Sequence, residues 1–387
     1  MKQRIIDLWI TASSPAELAA LIKLKSNPSG TGRIKEALED LAVTLNDHDF
    51  CYAALKKVSR SFAAVIWQLP VGLRDAVCLF YLVLRALDSI EDDMEFPLEK
   101  KVPLLLSFHE CNYDPNWSIE GVGDAHDYRV LLKFYHKVSR VFLRLDPAYQ
   151  EVITRICKEM GAGMAEFSQR EVVSLEDYDK YCYYVAGLVG LGLSELFSAS
   201  GLEDAQLKEE VELSVSMGSF LQKTNIIRDY YQDLDLKRRF WPAGIWRQYA
   251  ENLEDFYKKP KKRKSLACLN HLVTDALRHA GDCLEYMSKL KEDKVFRFCA
   301  IPQVMAFATL ARLYNNPDVF RSTVKIRKGQ TARIFMTCNT FEDTLRFFDS
   351  SASILRKKLN TADPNYAETK AHLDRVLTAI ERFQNVN

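Results

Sequence analysis

Glycine and proline are scarce in this chain, 15 and 12 among 387 residues. No Asn-Gly or Asp-Gly pair joins alternating apolar runs, so hairpin-built β architectures find little support. Charge of one sign is also missing. Lys plus Arg number 53 and Asp plus Glu 52, a balance that argues against a nucleic-acid partner or an anionic membrane surface. The nine cysteines stand singly, at 51, 78, 111, 157, 182, 268, 283, 299 and 338, with no CxxC pair. An odd, scattered set without a secretory leader points to reduced thiols in a cytosol-facing compartment. The opening "MKQRIIDLWITASSP" has no apolar core of signal-peptide length. Long hydrophobic runs are absent too. "VAGLVGLGL" at 185–193 and "IPQVMAFATLARL" at 301–313 are too short, or carry an Arg, for the ~20 apolar residues of a membrane span. The chain as it stands is expected to be soluble.

Aromatic residues are plentiful, with 21 Phe and 17 Tyr, and apolar residues recur at helical spacing. The pattern predicts helices over 33–45, 48–57, 60–67, 71–92, 98–110, 127–143, 147–169, 174–200, 204–232, 242–251, 265–290, 294–314, 317–323, 338–358 and 364–384. Asp127, the Asp146-Pro147 pair, and Ser174 with Asp177 three residues on are start signals. No internal repeat and no Gly/Ser-rich linker marks a boundary, so residues 1–387 read as one all-α domain. "KKPKKRK" at 258–264 reads as a solvated basic loop between helices rather than a localisation signal or phosphate-binding patch.

Two helices in this pattern share an odd feature: each runs from an apolar stretch into acids. After "VCLFYLVL" at 77–84, five acids fall within eight positions, namely Asp88, Glu91, Asp92, Asp93 and Glu95. On a helix, Asp88, Glu91 and Asp92 project from one face within about 6 Å along the axis. Tyr81 and Arg85 continue that face, while Asp93 and Glu95 are expected to turn away into solvent. Acids at a helix C-terminus are unfavourable against the helix dipole, so a bound cation is the alternative to a merely solvated end. In "SFLQKTNIIRDYYQDLDLKRRFW" at 219–241, Asn225, Asp229 and Asp233 follow at i, i+4 and i+8, with Gln222 one turn before. Oxygen ligands so spaced suit Mg²⁺, which takes one or two carboxylates and completes its shell with water and substrate phosphate. Two such helices facing a cavity could hold several Mg²⁺ ions and a diphosphate, and the metals would stabilise a departing diphosphate as Lewis acids. An aromatic interior then suggests prenyl diphosphate chemistry, because an allylic carbocation needs a dry pocket lined with aromatic faces.

Five long blocks resemble squalene synthases, in that family's order and over about residues 35–345. They are "VSRSFAAVIWQLP" at 58–70, "AVCLFYLVLRALDSIEDDM" at 76–94, "YCYYVAGLVGLGLSELFSASGL" at 181–202, "FLQKTNIIRDYYQDL" at 220–234 and "FCAIPQVMAFATLARLYNNPDVFRSTVKIRKG" at 298–329. The resemblance implies an isoprenoid-synthase helical fold with a central cavity. It implies head-to-head joining of two farnesyl diphosphates to presqualene diphosphate, then NADPH-dependent reduction to squalene, the entry to sterol biosynthesis. By motif, Asp88, Glu91, Asp92, Asp229 and Asp233 would bind Mg²⁺, with Gln222 and Asn225 supporting the substrate. Ser59, Arg60, Ser61 and Phe62 match the "SRSF" segment that contacts diphosphate and prenyl chain. Tyr181 matches a tyrosine that handles a proton or steadies the cation. Arg85 is placed to hold a phosphate oxygen, or equally to pair with Asp88. Phe298 and Cys299 match the wall of the reducing half-site. Gly187, Gly190 and Gly192 would allow close approach of a substrate chain or a neighbouring helix.

For NADPH there is no GxGxxG opening a βα unit. The family instead sets "VKIRKG" against the cofactor phosphates, which assigns Lys325 and Arg327, beside Lys328, with Arg60, Arg85 and Arg228. That segment separates squalene synthases from phytoene synthases, which stop before reduction. One departure is Gln232, where the family usually carries Glu. It supplies one negative charge less, and weaker Mg²⁺ affinity at this motif is expected. The family sits on the cytosolic face of the endoplasmic reticulum through a C-terminal anchor. "ERFQNVN" is not one, so membrane association is expected only through a segment outside this chain, and the chain itself as a monomer. The competing readings are a head-to-head synthase that stops at presqualene diphosphate or an unreduced C30 product, and a helical binding protein without turnover.

Overall fold

The computed structural model describes Ser14, Ala16, Glu17, Ala19, Ala20 and residues 36–59 and 62–385. Among the described residues every regular element is helical, and all nine cysteines are free and buried. The helices form two compact units whose chain segments interleave: 27–171 with 188–209, and 1–26 with 172–187 and 210–387.

In the first of these, Val71–Asp92 is the central helix. It packs against Asp47–Ser59, Leu98–Cys111, Tyr135–Phe142, Pro147–Phe167 and Leu188–Ala199. Thirteen of its 22 residues are buried, because a helix that is apolar on nearly all sides must be surrounded. Close backbone approach explains two glycines. A Cβ on Gly161 would lie 2.2 Å from the Leu105 carbonyl oxygen, and one on Gly192 would lie 2.6 Å from the Phe80 ring. Gly192 therefore serves helix packing within this unit, the second of the two uses its sequence left open.

In the other unit, Val211–Arg228 holds the equivalent central place. Its neighbours are Leu175–Cys182, the π-helical turn Tyr183–Gly187, Arg263–Leu277, Ala280–Ser288 and Asp293–Leu313. A Cβ on Gly218 would fall 1.9 Å from the Ala186 carbonyl oxygen, so these backbones touch. After Arg228, the rings of Tyr230, Trp241, Phe256 and Phe320 pack with centroids 4.8–6.1 Å apart. The Tyr230 hydroxyl donates to the Leu253 carbonyl at 2.6 Å, and Trp241 Nε1 donates to the Ile226 carbonyl at 3.2 Å. At the end of Asp293–Leu313 the buried C-terminal carbonyls are met by Lys358, whose Nζ reaches Ala311, Arg312 and Tyr314 at 2.8–3.3 Å.

Start signals behave unevenly. Ser174 and Asp177 form a complete capping box, and Asp146 caps a helix with Pro147 at its first position. Asp127 does not start its helix, which begins at His126 without a side-chain cap. Several predicted helices are broken: 127–143 at Phe134, 174–200 by the π turn, 204–232 at Glu210 and Asp229, and 265–290 near Arg278. Of 242–251 only Ala243–Trp246 is α-helical, and 317–323 is a short 3₁₀ turn. Lys328–Thr337, which falls in none of the predicted helices, is a helix with Arg327 at its N-cap. Asp293–Leu313 and the stretch Leu175–Ala199 are long and apolar enough to cross a membrane. In the former, 78% of the apolar window is buried inside the fold, where it forms core.

Candidate active site

At the end of the first acidic helix, Arg85 is half-buried and forms an ion pair with Asp88, one turn on. Its guanidinium lies 5.9 Å over the Tyr81 ring and 5.4 Å over the Tyr128 ring. Burial works against the Arg85 charge, but the Asp88 carboxylate outweighs it and raises the guanidinium pKa. Arg85 Nε is buried without a hydrogen-bond partner, an open donor of the kind a phosphate oxygen would take. Glu91 and Asp92 are partly exposed beside this pair.

The helix-dipole problem is solved locally. Lys101 is 4% exposed and donates from Nζ to the Glu91 carbonyl at 2.8 Å, placing a cation on the C-terminus of the helix. Asp93 differs from expectation: it is buried, and its carboxylate accepts from the Glu95, Phe96 and Gly123 N–H groups at 2.8–3.2 Å. It shapes the turn after the helix rather than sitting in solvent, while Glu95 is exposed as expected. Sequence alone gave no signal for Tyr128 or Lys101, because both come from outside the acidic helix. Phe62 rests against Tyr81, centroids 5.9 Å apart. Ser59 is buried, and its hydroxyl accepts from the Ala63 N–H at 2.9 Å. Arg60 and Ser61 lie outside the described residues.

The second acidic helix stops at Arg228, and Asp229 leaves helical geometry (φ −95°, ψ 7°). The continuous helix expected through Asp233 is thus interrupted. The i to i+4 bonding still passes through the break: Asp229 N donates to Asn225 O, and Asp233 N to Asp229 O, both at 2.9 Å. Gln222, Asn225, Arg228, Asp229 and Asp233 are all partly exposed, whereas Lys223, Thr224, Ile226 and Ile227 between them are buried. Arg228 grips Asp229 with both arms of its fork, Nε to Oδ1 at 2.8 Å and the second nitrogen to Oδ2. Burial, and then the Asp229 charge, push the Asp233 carboxyl up to about 7 against the pull of Arg238 and Arg228. A carboxyl raised chiefly by burial, with the Asp229 carboxylate adding to it, suits a divalent cation that would favour its charged form. Among the described residues no three of His, Cys, Asp and Glu form a ready metal cage. Mg²⁺ does not require one, since water and phosphate oxygens fill most of its shell.

In the same unit Tyr181 is 4% exposed and stacks on Phe240, centroids 5.4 Å apart at 21°. Phe298 and Cys299 are buried on Asp293–Leu313. Lys325 and Lys328 are exposed, and Arg327 is partly buried. Arg327 donates to Glu17 at 2.8 Å, while its Nε is buried with no partner. That half-satisfied fork at a helix N-cap has the donors that a cofactor phosphate would take.

An all-α chain whose two central helices each end in acids paired with arginine has the features of a prenyl diphosphate synthase. The squalene/phytoene synthase family profile matches residues 55–330. The squalene synthase of Solanum lycopersicum is 52% identical over 331 residues, covering 85% of this chain and 79% of that one. Squalene synthase 1 of Arabidopsis thaliana is 50% identical over 330 residues, covering 84% and 80%. A solved complex of TcSQS with the ligand BPH1237 superposes with a TM-score of 0.85 at 46% identity, covering 87% of this chain and 99% of that one. A dehydrosqualene synthase structure, 20% identical with a TM-score of 0.52, shares the fold. The chain belongs to the squalene/phytoene synthase family.

Proposed function

We propose that this chain is an NADPH-dependent squalene synthase. It joins two farnesyl diphosphates head to head into presqualene diphosphate, then reduces that product to squalene. The observation that carries this reading is the 50–52% identity to proteins named squalene synthase over about 85% of the chain. Every residue assigned a role below lies within the matched 55–330 segment.

Asp88, Glu91 and Asp92 at one helix end, and Asp229 and Asp233 at the other, would hold Mg²⁺, which when bound neutralises and polarises the diphosphate. Gln222 and Asn225 add neutral oxygens on the Asp229 strip. Arg85 and Arg228 balance Asp88 and Asp229 when no metal is present. Once the carboxylates are engaged elsewhere, their guanidinium donors turn to diphosphate oxygens. Ser59, Arg60, Ser61 and Phe62 bind diphosphate and the first part of the prenyl chain. Tyr181, buried against Phe240, holds the proton or steadies the cation of the first half-reaction. Phe298 and Cys299 keep water from the cation during reduction. Lys325 and Arg327, with Arg60, Arg85 and Arg228, would hold the cofactor phosphates, and the cofactor when bound would supply the reducing equivalents. Endoplasmic-reticulum residence on the cytosolic face, a monomeric state and action of residues 1–387 as one domain complete the reading.

The test is incubation with farnesyl diphosphate and Mg²⁺, with and without NADPH. Squalene formed only with NADPH is the expected result. Presqualene diphosphate in both tubes would assign the chain to a synthase that stops early, and untouched substrate would refute enzymatic function.

A further inference from the structure

The second acidic helix carries one buried cation. Lys223 is 1% exposed, and its ammonium donates to Asp179 and, at 2.5 Å, to Asp275, 5.0 Å over the Tyr178 ring. Arg278 completes the group by donating to Asp179 and pairing with Asp275 at 3.3 Å. Two cations and two carboxylates therefore balance inside the fold, where any one left unpaired would be strongly disfavoured.

The group ties three helices together. Asp179 stands on Leu175–Cys182 two residues before Tyr181, Lys223 two residues before Asn225 and six before Asp229, and Asp275 on Arg263–Leu277. At 100° per residue Lys223 points about 200° away from Asn225, which agrees with its burial beside the partly exposed Gln222–Asn225–Asp229 strip. It is not itself placed to touch substrate or metal. A second contact joins the same two segments where Gly218 meets the Ala186 carbonyl. On one segment the two contacts are seven residues apart (179 and 186). On the other they are five apart in the opposite sense (223 and 218). Ser216, two turns before Lys223, ties the same helix to Ala280–Ser288 instead, by donating to Asp282 at 2.8 Å. An ammonium held between two carboxylates adds two directional, charge-assisted hydrogen bonds to that backbone contact.

We propose that Lys223, acting through Asp179 and Asp275, is the positioning residue that sets Tyr181 in register with Asn225 and Asp229. The proposal rests on the assignment of those three residues to the active site. Lys223→Met alone leaves a buried negative charge, so the informative variant is Lys223→Met with Asp275→Asn, which retains the balanced Asp179–Arg278 pair. A second variant, Asp179→Ala with Arg278→Ala, cuts the tie to the tyrosine helix at side chains that are 36% and 33% exposed while Lys223 stays balanced by Asp275, and is the fallback if the first double variant does not fold. Three quantities are compared with wild type: thermal midpoint, kcat and KM for presqualene diphosphate formation, and Mn²⁺ affinity of the substrate-free chain by electron paramagnetic resonance. The expected result is a folded variant whose kcat falls about 10–100-fold, as for a small misplacement of reacting groups, with KM little changed and Mn²⁺ bound more weakly. A folded variant with wild-type kcat and Mn²⁺ affinity would overturn the proposal and reduce Lys223 to charge balance. If wild type itself forms no presqualene diphosphate, the functional reading fails, while the Mn²⁺ comparison still decides the role of Lys223.

Discussion

The two acidic helix ends are built alike up to a point and then diverge. Each belongs to the helix around which its own unit packs, and each pairs an aspartate with an arginine, Asp88 with Arg85 and Asp229 with Arg228. At the first, Lys101 occupies the terminal Glu91 carbonyl and Asp93 fastens the following turn through three N–H groups. At the second, the helix breaks at Asp229, and Asp233 is left half-buried beside a like charge, its carboxyl up at about 7. The first end is settled without metal. The second keeps a carboxyl that burial and then a like charge hold protonated to about pH 7, and a divalent cation would favour its charged form.

That contrast can be broken at its strongest point by neutralising one acid at a time. Asp88→Asn and Asp229→Asn should each lower presqualene diphosphate formation by about 10²–10³-fold, the range for losing one element of anion stabilisation, here the metal that the carboxylate would hold, measured by product assay at saturating Mg²⁺. Next in size is Lys101→Met. It removes a buried charged hydrogen bond from a helix end and should cost roughly 1.5–3 kcal/mol of stability in urea unfolding. A loss confined to a few tenths would mean that the first end is not settled by Lys101.

The Asp233 carboxyl supplies a pH signature. Its folded pKa lies above the ordinary 3.8, so its stabilisation is fully present below about pH 4 and is lost as pH rises through 7. The metal-free chain should lose thermal stability between about pH 4 and 7, Asp233→Asn should flatten that slope, and Mg²⁺ should restore stability at pH 8. No change of slope in the variant would mean that Asp233 does not titrate in this window. The smallest effect is expected for Gln232→Glu. Gln232 is exposed, and a solvated added charge should tighten Mg²⁺ binding by about threefold or less, read by Mg²⁺ titration.

The helical class and both acidic motifs were legible in the sequence because helical spacing is local, and i, i+4 carboxylates declare themselves within two turns. The breaks at Phe134, Asp229 and Arg278 were not, because apolar periodicity runs on through single residues that tertiary packing bends. Nor was the role of Asp93. A surplus acid beside a cluster looks solvated until the distant Gly123 N–H is found on it. Lys101, Tyr128 and Lys223 escaped for the same reason, since their partners come from other helices. The helix beginning at Lys328 falls in no predicted segment because its first turn, Lys-Gly-Gln-Thr, carries no apolar period.

The central claim is that both helix ends bind divalent metal. Mn²⁺ bound in the presence of inorganic diphosphate can be counted by electron paramagnetic resonance in wild type, Asp88→Asn and Asp229→Asn. The expected result is that each variant loses part of the bound Mn²⁺, with the Asp229 loss growing from pH 6 to pH 8. Equal counts in all three proteins would contradict it.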